Sequence, residues 1–343
     1  MSRLVRVLAV LVVSALAVAT GTTASALPAT SADDGARVVR ESVVDRRTID
    51  LEIASPALGA TAMVRLLLPT RWAAQPHRTW PVLFLLHGCC ETADYQAWTW
   101  FTDVEDYTVE KDVLVVMPSG GPAGMYSPWW NFGEHGSPDW ETFHVTELRQ
   151  ILERRYRAGT ARAVAGVSMG GYGALAYAFR HRGMFGAAAS LSGIPNTLNP
   201  GAPAVIKGLL VREGLNPLAL WGDEVINRRI WSEHNPFDHV AELRGIGVHV
   251  SSGNGLTGPL DPPGQADPLE AASLATSKSF TDRLAAEGIA VTAHFYGTGT
   301  HDWPYWQREL RAAWPVLAPA LGLNSSPGGI GYGPDGNSSK RTD

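Results

Sequence analysis

Midway along the chain, Gly166-Val167-Ser168-Met169-Gly170 stands between a short apolar run, residues 163–167, and an alanine-rich segment, residues 171–182. The first reads as a strand and the second as a helix. A G-x-S-x-G in that setting dictates a sharp strand-to-helix turn, because glycine on both sides of the serine relieves a backbone that a side chain would block. Few folds accommodate such a turn, and those that do alternate strands with helices. The rest of the chain carries that alternation. Residues 63–68, 81–86, 113–117, 248–251 and 291–296 read as strands, and residues 141–156 and 269–287 as helices. The run P-V-L-F-L-L at 81–86 is apolar without polar alternation, the mark of a strand covered on both faces. The expectation is one α/β unit over residues 41–322.

The ends read differently. Arg3 and Arg6 precede an apolar run over residues 7–18, and Ala24-Ser25-Ala26 supplies the small residues a signal peptidase reads, so residues 1–26 are expected to be a secretory signal. The apolar run falls short of the roughly 20 residues a bilayer span needs, so no stable membrane anchor is expected. Residues 27–40 are expected to be a flexible leader, and the Gly/Ser-rich residues 323–343 a disordered tail too poor in apolar side chains to pack. An extracellular or cell-wall location follows. With 28 Lys+Arg against 33 Asp+Glu, the chain carries a net charge of −5, and no basic field exists to hold a nucleic acid. The two cysteines, Cys89 and Cys90, are adjacent. Neighbouring Cα atoms lie about 3.8 Å apart, below the usual disulfide separation, so two free thiols are expected. Adjacent cysteines also lack the spacing of a zinc site, and no metal or cofactor is expected.

Ser168 is the candidate nucleophile. A serine hydroxyl needs a base to take its proton, and in strand-turn-helix sites of this kind the acid and then the histidine follow the serine along the chain. Of ten histidines, His301 is best placed, in a loop after the last expected strand and ahead of a helix. The acid that orients it lies among Asp261, Asp267 and Glu270, which position alone does not separate. Two backbone N–H groups must stabilise the oxyanion. Met169 follows the nucleophile, and Cys89 lies in the H-G-C-C loop after the 81–86 strand. His87, at that strand's end, is a candidate pocket residue, and Trp129, Trp130, Trp140, Trp303 and Trp306 lie beside these loops in sequence.

Taken in order, L-L-H-G-C-C-E-T-A-D-Y-Q-A-W, V-M-P-S-G-G, D-W-E-T-F, G-V-S-M-G-G, S-L-S-G, S-G-N-G and G-T-H-D-W-P-Y-W resemble the esterase family that contains the secreted actinobacterial mycolyltransferases of the antigen 85 type, over residues 63–315. The resemblance implies an α/β-hydrolase fold: a mostly parallel central sheet, helices on both faces and no large lid domain. It implies acyl transfer through a serine ester, either to water or to a sugar or lipid hydroxyl, with a small-molecule, lipid or sugar ester as substrate. It also selects Glu270 as the acid, because the family's glutamate begins the helix between the last two strands. The chain departs from the mycolyltransferases after the 81–86 strand. Those enzymes carry an acidic residue and an arginine where this chain has His87 and Cys90, so the resemblance does not extend to their sugar acceptor. The implied pocket comprises His87, Cys90, Trp129 and Trp303.

Overall fold

Strand β4, Trp80–Leu86, shows how the sheet organises the chain. Val82, Phe84 and Leu86 join one hydrophobic core, and the intervening Leu83 and Leu85 join another on the opposite face. A strand alternates its side chains across the sheet, so an unbroken apolar run is stable only when both faces are covered. Burial of each such side chain is worth roughly 1.5–3 kcal/mol. The computed structural model of the chain describes residues 30–91 and 94–324. The expected signal, residues 1–26, and residues 325–343 of the expected tail lie outside the described residues.

Among the described residues, nine strands form a single sheet in the order β1-β2-β3-β5-β4-β6-β7-β8-β9. The first three, β1 (Arg37–Val43), β2 (Thr48–Ser55) and β3 (Ala60–Leu67), make an antiparallel edge, and β3 pairs antiparallel with β5 (Leu114–Pro118). From β5 onward the pairing is parallel, through β4, β6 (Ala158–Val167), β7 (Ala187–Leu191), β8 (Gly247–Ser252) and β9 (Thr292–Phe295). Helices Met169–Arg180, Ala202–Arg212 and Pro268–Ala286 cover one face, and Ala97–Phe101, Val104–Thr108 and Trp303–Ala320 the other. The expected helix over residues 141–156 is continuous but widens into a π-type turn at Phe143–Leu148. Residues 192–246, between β7 and β8, form short helices and turns whose Ile206, Leu210, Trp221 and Trp231 sink into the same core as the sheet. This excursion is part of the body rather than a lid.

Two expectations need correction here. The leader expected over residues 27–40 is not free over its described part, residues 30–40: Arg37–Val43 forms β1, Ser31, Ala32 and Ala36 are buried, and Arg154 pairs with Asp33, while residues 27–29 lie outside the described residues. Nearly every β1 side chain is exposed, so the strand is held by its backbone ladder to β2 and has no apolar alternation to betray it. The adjacent cysteines, expected as free thiols, form a disulfide with Cα atoms 3.7 Å apart. Cys90 adopts φ 76°, a left-handed turn in place of the extended chain that sends successive side chains to opposite sides.

Because β4, β6, β8 and β9 run parallel, the loops that follow them emerge at one edge of the sheet, where α/β proteins hold their sites.

Candidate active site

Ser168 lies between β6 and helix Met169–Arg180 with φ 55° and ψ −119°, a conformation that L-residues rarely adopt. The flanking glycines have steric reasons. A Cβ on Gly166 would lie 2.2 Å from Gly170 O, and one on Gly170 would lie 2.4 Å from Leu86 O. The turn is thus packed against itself and against β4, and Ser168 is lifted to the floor of a cleft of about 320 Å³. Gly88, Cys89, Cys90, Glu91, Leu209, Arg212, Asp267, Leu269, His301 and Trp306 complete its lining.

His301 faces this cleft from the loop after β9. Its Nδ1 donates to Glu270 Oε2 at 2.7 Å. Among the described residues its Nε2 has no hydrogen-bond partner. Glu270 is fully buried. Its other oxygen, Oε1, accepts from Gly253 N–H at 2.6 Å, from the hydroxyls of Ser192 and Ser252 at 2.9 Å each, and from Tyr296 OH at 3.2 Å. Burial of a carboxylate without such donors would cost several kcal/mol. Burial, with the Glu270 carboxylate adding to it, pushes the Tyr296 phenol far above its ordinary pKa, so Tyr296 stays a donor. Trp306 meets the His301 ring edge-on at 5.0 Å and donates its indole N–H to Ser192 Oγ at 3.0 Å, bracing both partners.

The three candidate acids separate in the structure. Asp267 caps helix Pro268–Ala286, accepting from Leu269 N–H and Glu270 N–H, and touches His301 only through its backbone N–H, at 3.2 Å. Asp261 accepts from Gly258 N–H and Tyr305 OH. Glu270 alone meets the imidazole.

Of the two expected oxyanion donors, Cys89 lines the cleft, whereas Met169 is buried beside Ser168 and is not part of the lining. Met169 opens its helix, so its N–H has no intrahelical acceptor, and Cys89 N–H has no acceptor among the described residues. A Cβ on Gly88 would lie 3.3 Å from Ser168 Cβ, which measures how closely the H-G-C-C loop approaches the serine.

The expected pocket is otherwise only partly assembled. Cys90 lines the cleft, but His87, Trp129 and Trp303 do not. His87 is buried below the loop. Trp129 packs in the core and donates to Gly124 O at 3.1 Å. Trp303 packs against Trp98, Phe101 and Trp306 on the other face. Leu209 and Arg212 were not expected. They arrive from helix Ala202–Arg212, in the excursion between β7 and β8, and nothing local in the sequence marks them. Among the described residues, one group has the spacing of a metal site: Cys89, Cys90 and Glu213. Its two sulfurs are occupied by their own disulfide and offer no thiolate.

A sheet of this strand order, with a serine on the turn after β6, a glutamate after β8 and a histidine after β9, defines an α/β-hydrolase. The chain belongs to the Esterase family, whose model matches residues 55–317. Esterase Rv1288 of Mycobacterium tuberculosis is 34% identical over 270 residues, 76% of this chain and 57% of that protein, so the chain spans little more than half of that relative. The diacylglycerol acyltransferase/mycolyltransferase Ag85C of Mycobacterium avium is 30% identical over 284 residues, 79% of this chain and 77% of the relative. Among solved structures, MPT51 (FbpC1) of Mycobacterium tuberculosis aligns with a TM-score of 0.66 at 25% identity, covering 80% of this chain and 97% of that one.

Proposed function

We propose that this protein is a serine carboxylic-ester hydrolase. Ser168 Oγ attacks the ester carbonyl while His301 Nε2 takes its proton, and the developing oxyanion is received by the N–H groups of Cys89 and Met169. Glu270 holds the imidazole with Nδ1 protonated and stabilises its charged form. The imidazolium then protonates the leaving alcohol, an acyl-enzyme forms on Ser168, and a water activated by His301 releases the acid. One observation carries this reading: the 2.7 Å contact of Glu270 with His301 Nδ1 leaves the ring's other nitrogen unpartnered beside the serine's cleft. Catalytic hydrogen bonds to the nucleophile commonly tighten only when substrate binds.

The second reading, transfer of the acyl group to a sugar or lipid hydroxyl, draws support from the 30% identity to a diacylglycerol acyltransferase/mycolyltransferase. Hydrolysis is favoured because Cys90, bridged to Cys89, stands where the mycolyltransferase pattern has an arginine. The cleft is also small, near the lower end of the range for ligand sites, and is edged by the polar Glu91, Arg212 and Asp267, which suits a short or polar acyl group. Stopped-flow release of p-nitrophenol from the butyrate ester is expected to show a burst equal to the enzyme concentration. Sugar acceptors are expected to leave the steady rate unchanged and to yield no acylated sugar; an acylated sugar would favour the transferase. For residues 1–26 we propose an export signal, and among the described residues no helix is long and apolar enough to cross a membrane. Protein recovered from the culture medium is expected to begin at Leu27; an intact Met1 on it would refute cleavage.

A further inference from the structure

We propose that His87 is a positioning residue of the oxyanion site: its ring fixes the Gly88–Cys89 peptide unit so that the Cys89 N–H faces Ser168. The inference rests on the serine mechanism above and assigns His87 a different task from the pocket contact expected of it.

The ring is buried, with 1% of its surface exposed, and both of its nitrogens are engaged. Nδ1 lies 2.6 Å from Gly88 O. A carbonyl oxygen only accepts, so Nδ1 carries the proton. Nε2 is then the bare nitrogen, and Gly120 N–H donates to it at 2.7 Å. The two contacts require the same neutral tautomer. Burial favours that neutral form by lowering the imidazole pKa, against the opposing pull of the Asp94 carboxylate 3.5 Å from Nε2.

Peptide geometry carries the consequence to the cleft. Gly88 C=O and Cys89 N–H belong to one planar trans unit, so they point in opposite directions. With the oxygen drawn inward to the His87 ring, the N–H is turned outward, on the side where the loop comes against Ser168 and where Cys89 lines the cleft. The segment is anchored at both ends to the loop after β5. Gly120 holds the His87 ring, Tyr126 OH donates to His87 O at 2.9 Å, and Cys90 N–H donates to Pro122 O at 2.8 Å. Rotation of the Gly88–Cys89 unit would break the Nδ1 contact and swing the N–H away from the serine.

Two substitutions divide the ring's functions. Asparagine carries an amide N–H near the Nδ1 position, whereas glutamine extends its carbonyl toward the Nε2 position and has no donor beside Gly88 O. We expect His87→Asn to keep kcat within about threefold of the unsubstituted protein. His87→Gln is expected to lower kcat by about 10²-fold with KM unchanged, the loss typical of removing one oxyanion donor. Affinity for a trifluoromethyl ketone, which forms the tetrahedral adduct, is expected to fall in proportion to kcat. Rates are expressed per site titrated to completion with a fluorophosphonate, so that any unfolded fraction drops out. A role in packing alone predicts equal losses in the two variants. Equal losses, undiminished turnover in His87→Gln, or a loss confined to KM would each overturn the proposal. Ser168→Ala, assayed alongside, separates the two levels. If it is inactive while His87→Gln is unimpaired, only the role of His87 fails; if it remains active, the serine mechanism fails and the oxyanion role with it.

Discussion

Ser168→Ala is expected to lower kcat for p-nitrophenyl butyrate by about 10⁴- to 10⁶-fold, because nucleophile, base and acid act as a unit and the residual rate comes from binding and the oxyanion donors alone. The fold should be untouched. Ser168 Oγ makes no hydrogen bond among the described residues, and alanine keeps the Cβ around which the turn is packed, so the melting temperature should move by no more than a few degrees. The same experiment has a chemical arm: phenylmethylsulfonyl fluoride should modify the unsubstituted protein once, at Ser168, and leave the alanine variant unmodified. Undiminished turnover by a folded Ser168→Ala protein would refute the serine mechanism outright.

Glu270→Gln should cost about 10³- to 10⁴-fold in kcat, and the physical reason lies in the carboxylate's surroundings. Four donors converge on Oε1: Gly253 N–H, the Ser192 and Ser252 hydroxyls, and Tyr296 OH. That crowd of donors demands an oxygen, so a glutamine must turn its NH₂ toward His301. The ring can then accept only through an unprotonated Nδ1, which moves its proton to Nε2 and leaves no base for Ser168. Asp267→Asn should retain helix capping, since asparagine caps as well as aspartate, and should lose little turnover; Asp261→Asn should behave alike. Steady-state kinetics on the three variants, with melting curves to show that each is folded, decide the matter. A loss that fell on Asp267→Asn and spared Glu270→Gln would reassign the acid.

The residues of the site differ in how far they were legible from the chain. Ser168 was readable because its requirements are local: two glycines, a strand behind and a helix ahead, all within a few residues. Glu270 was not. The residues left three acids open, and only the resemblance to a family chose among them. What separates them physically is where helix Pro268–Ala286 begins, since Asp267 spends its carboxylate on the first free N–H groups and leaves Glu270, one turn on, to reach His301. His87 was legible as important but not for its task. Its neighbourhood in sequence suggested the pocket, whereas its partner Gly120 comes from the next strand's loop. The tryptophans show the same limit. Trp129 and Trp303 adjoin site loops in the chain yet pack into opposite cores, and Trp306, one turn beyond Trp303, reaches the cleft.

From the amino-acid order alone came the α/β alternation, the doubly covered central strands and the strained turn at Ser168, because each follows from sterics or burial periodicity acting over a few residues. Tertiary structure decided how Glu270 comes to meet the histidine, that Leu209 and Arg212 close the cleft, that β1 completes the sheet edge, and that the Cys89–Cys90 pair is bridged at a left-handed turn. The meeting of Glu270 with His301, and of Leu209 and Arg212 with the serine's cleft, depends on segments far apart in the chain converging at the carboxyl ends of parallel strands. Strand order sets that meeting, and strand order is a property of how the whole chain packs.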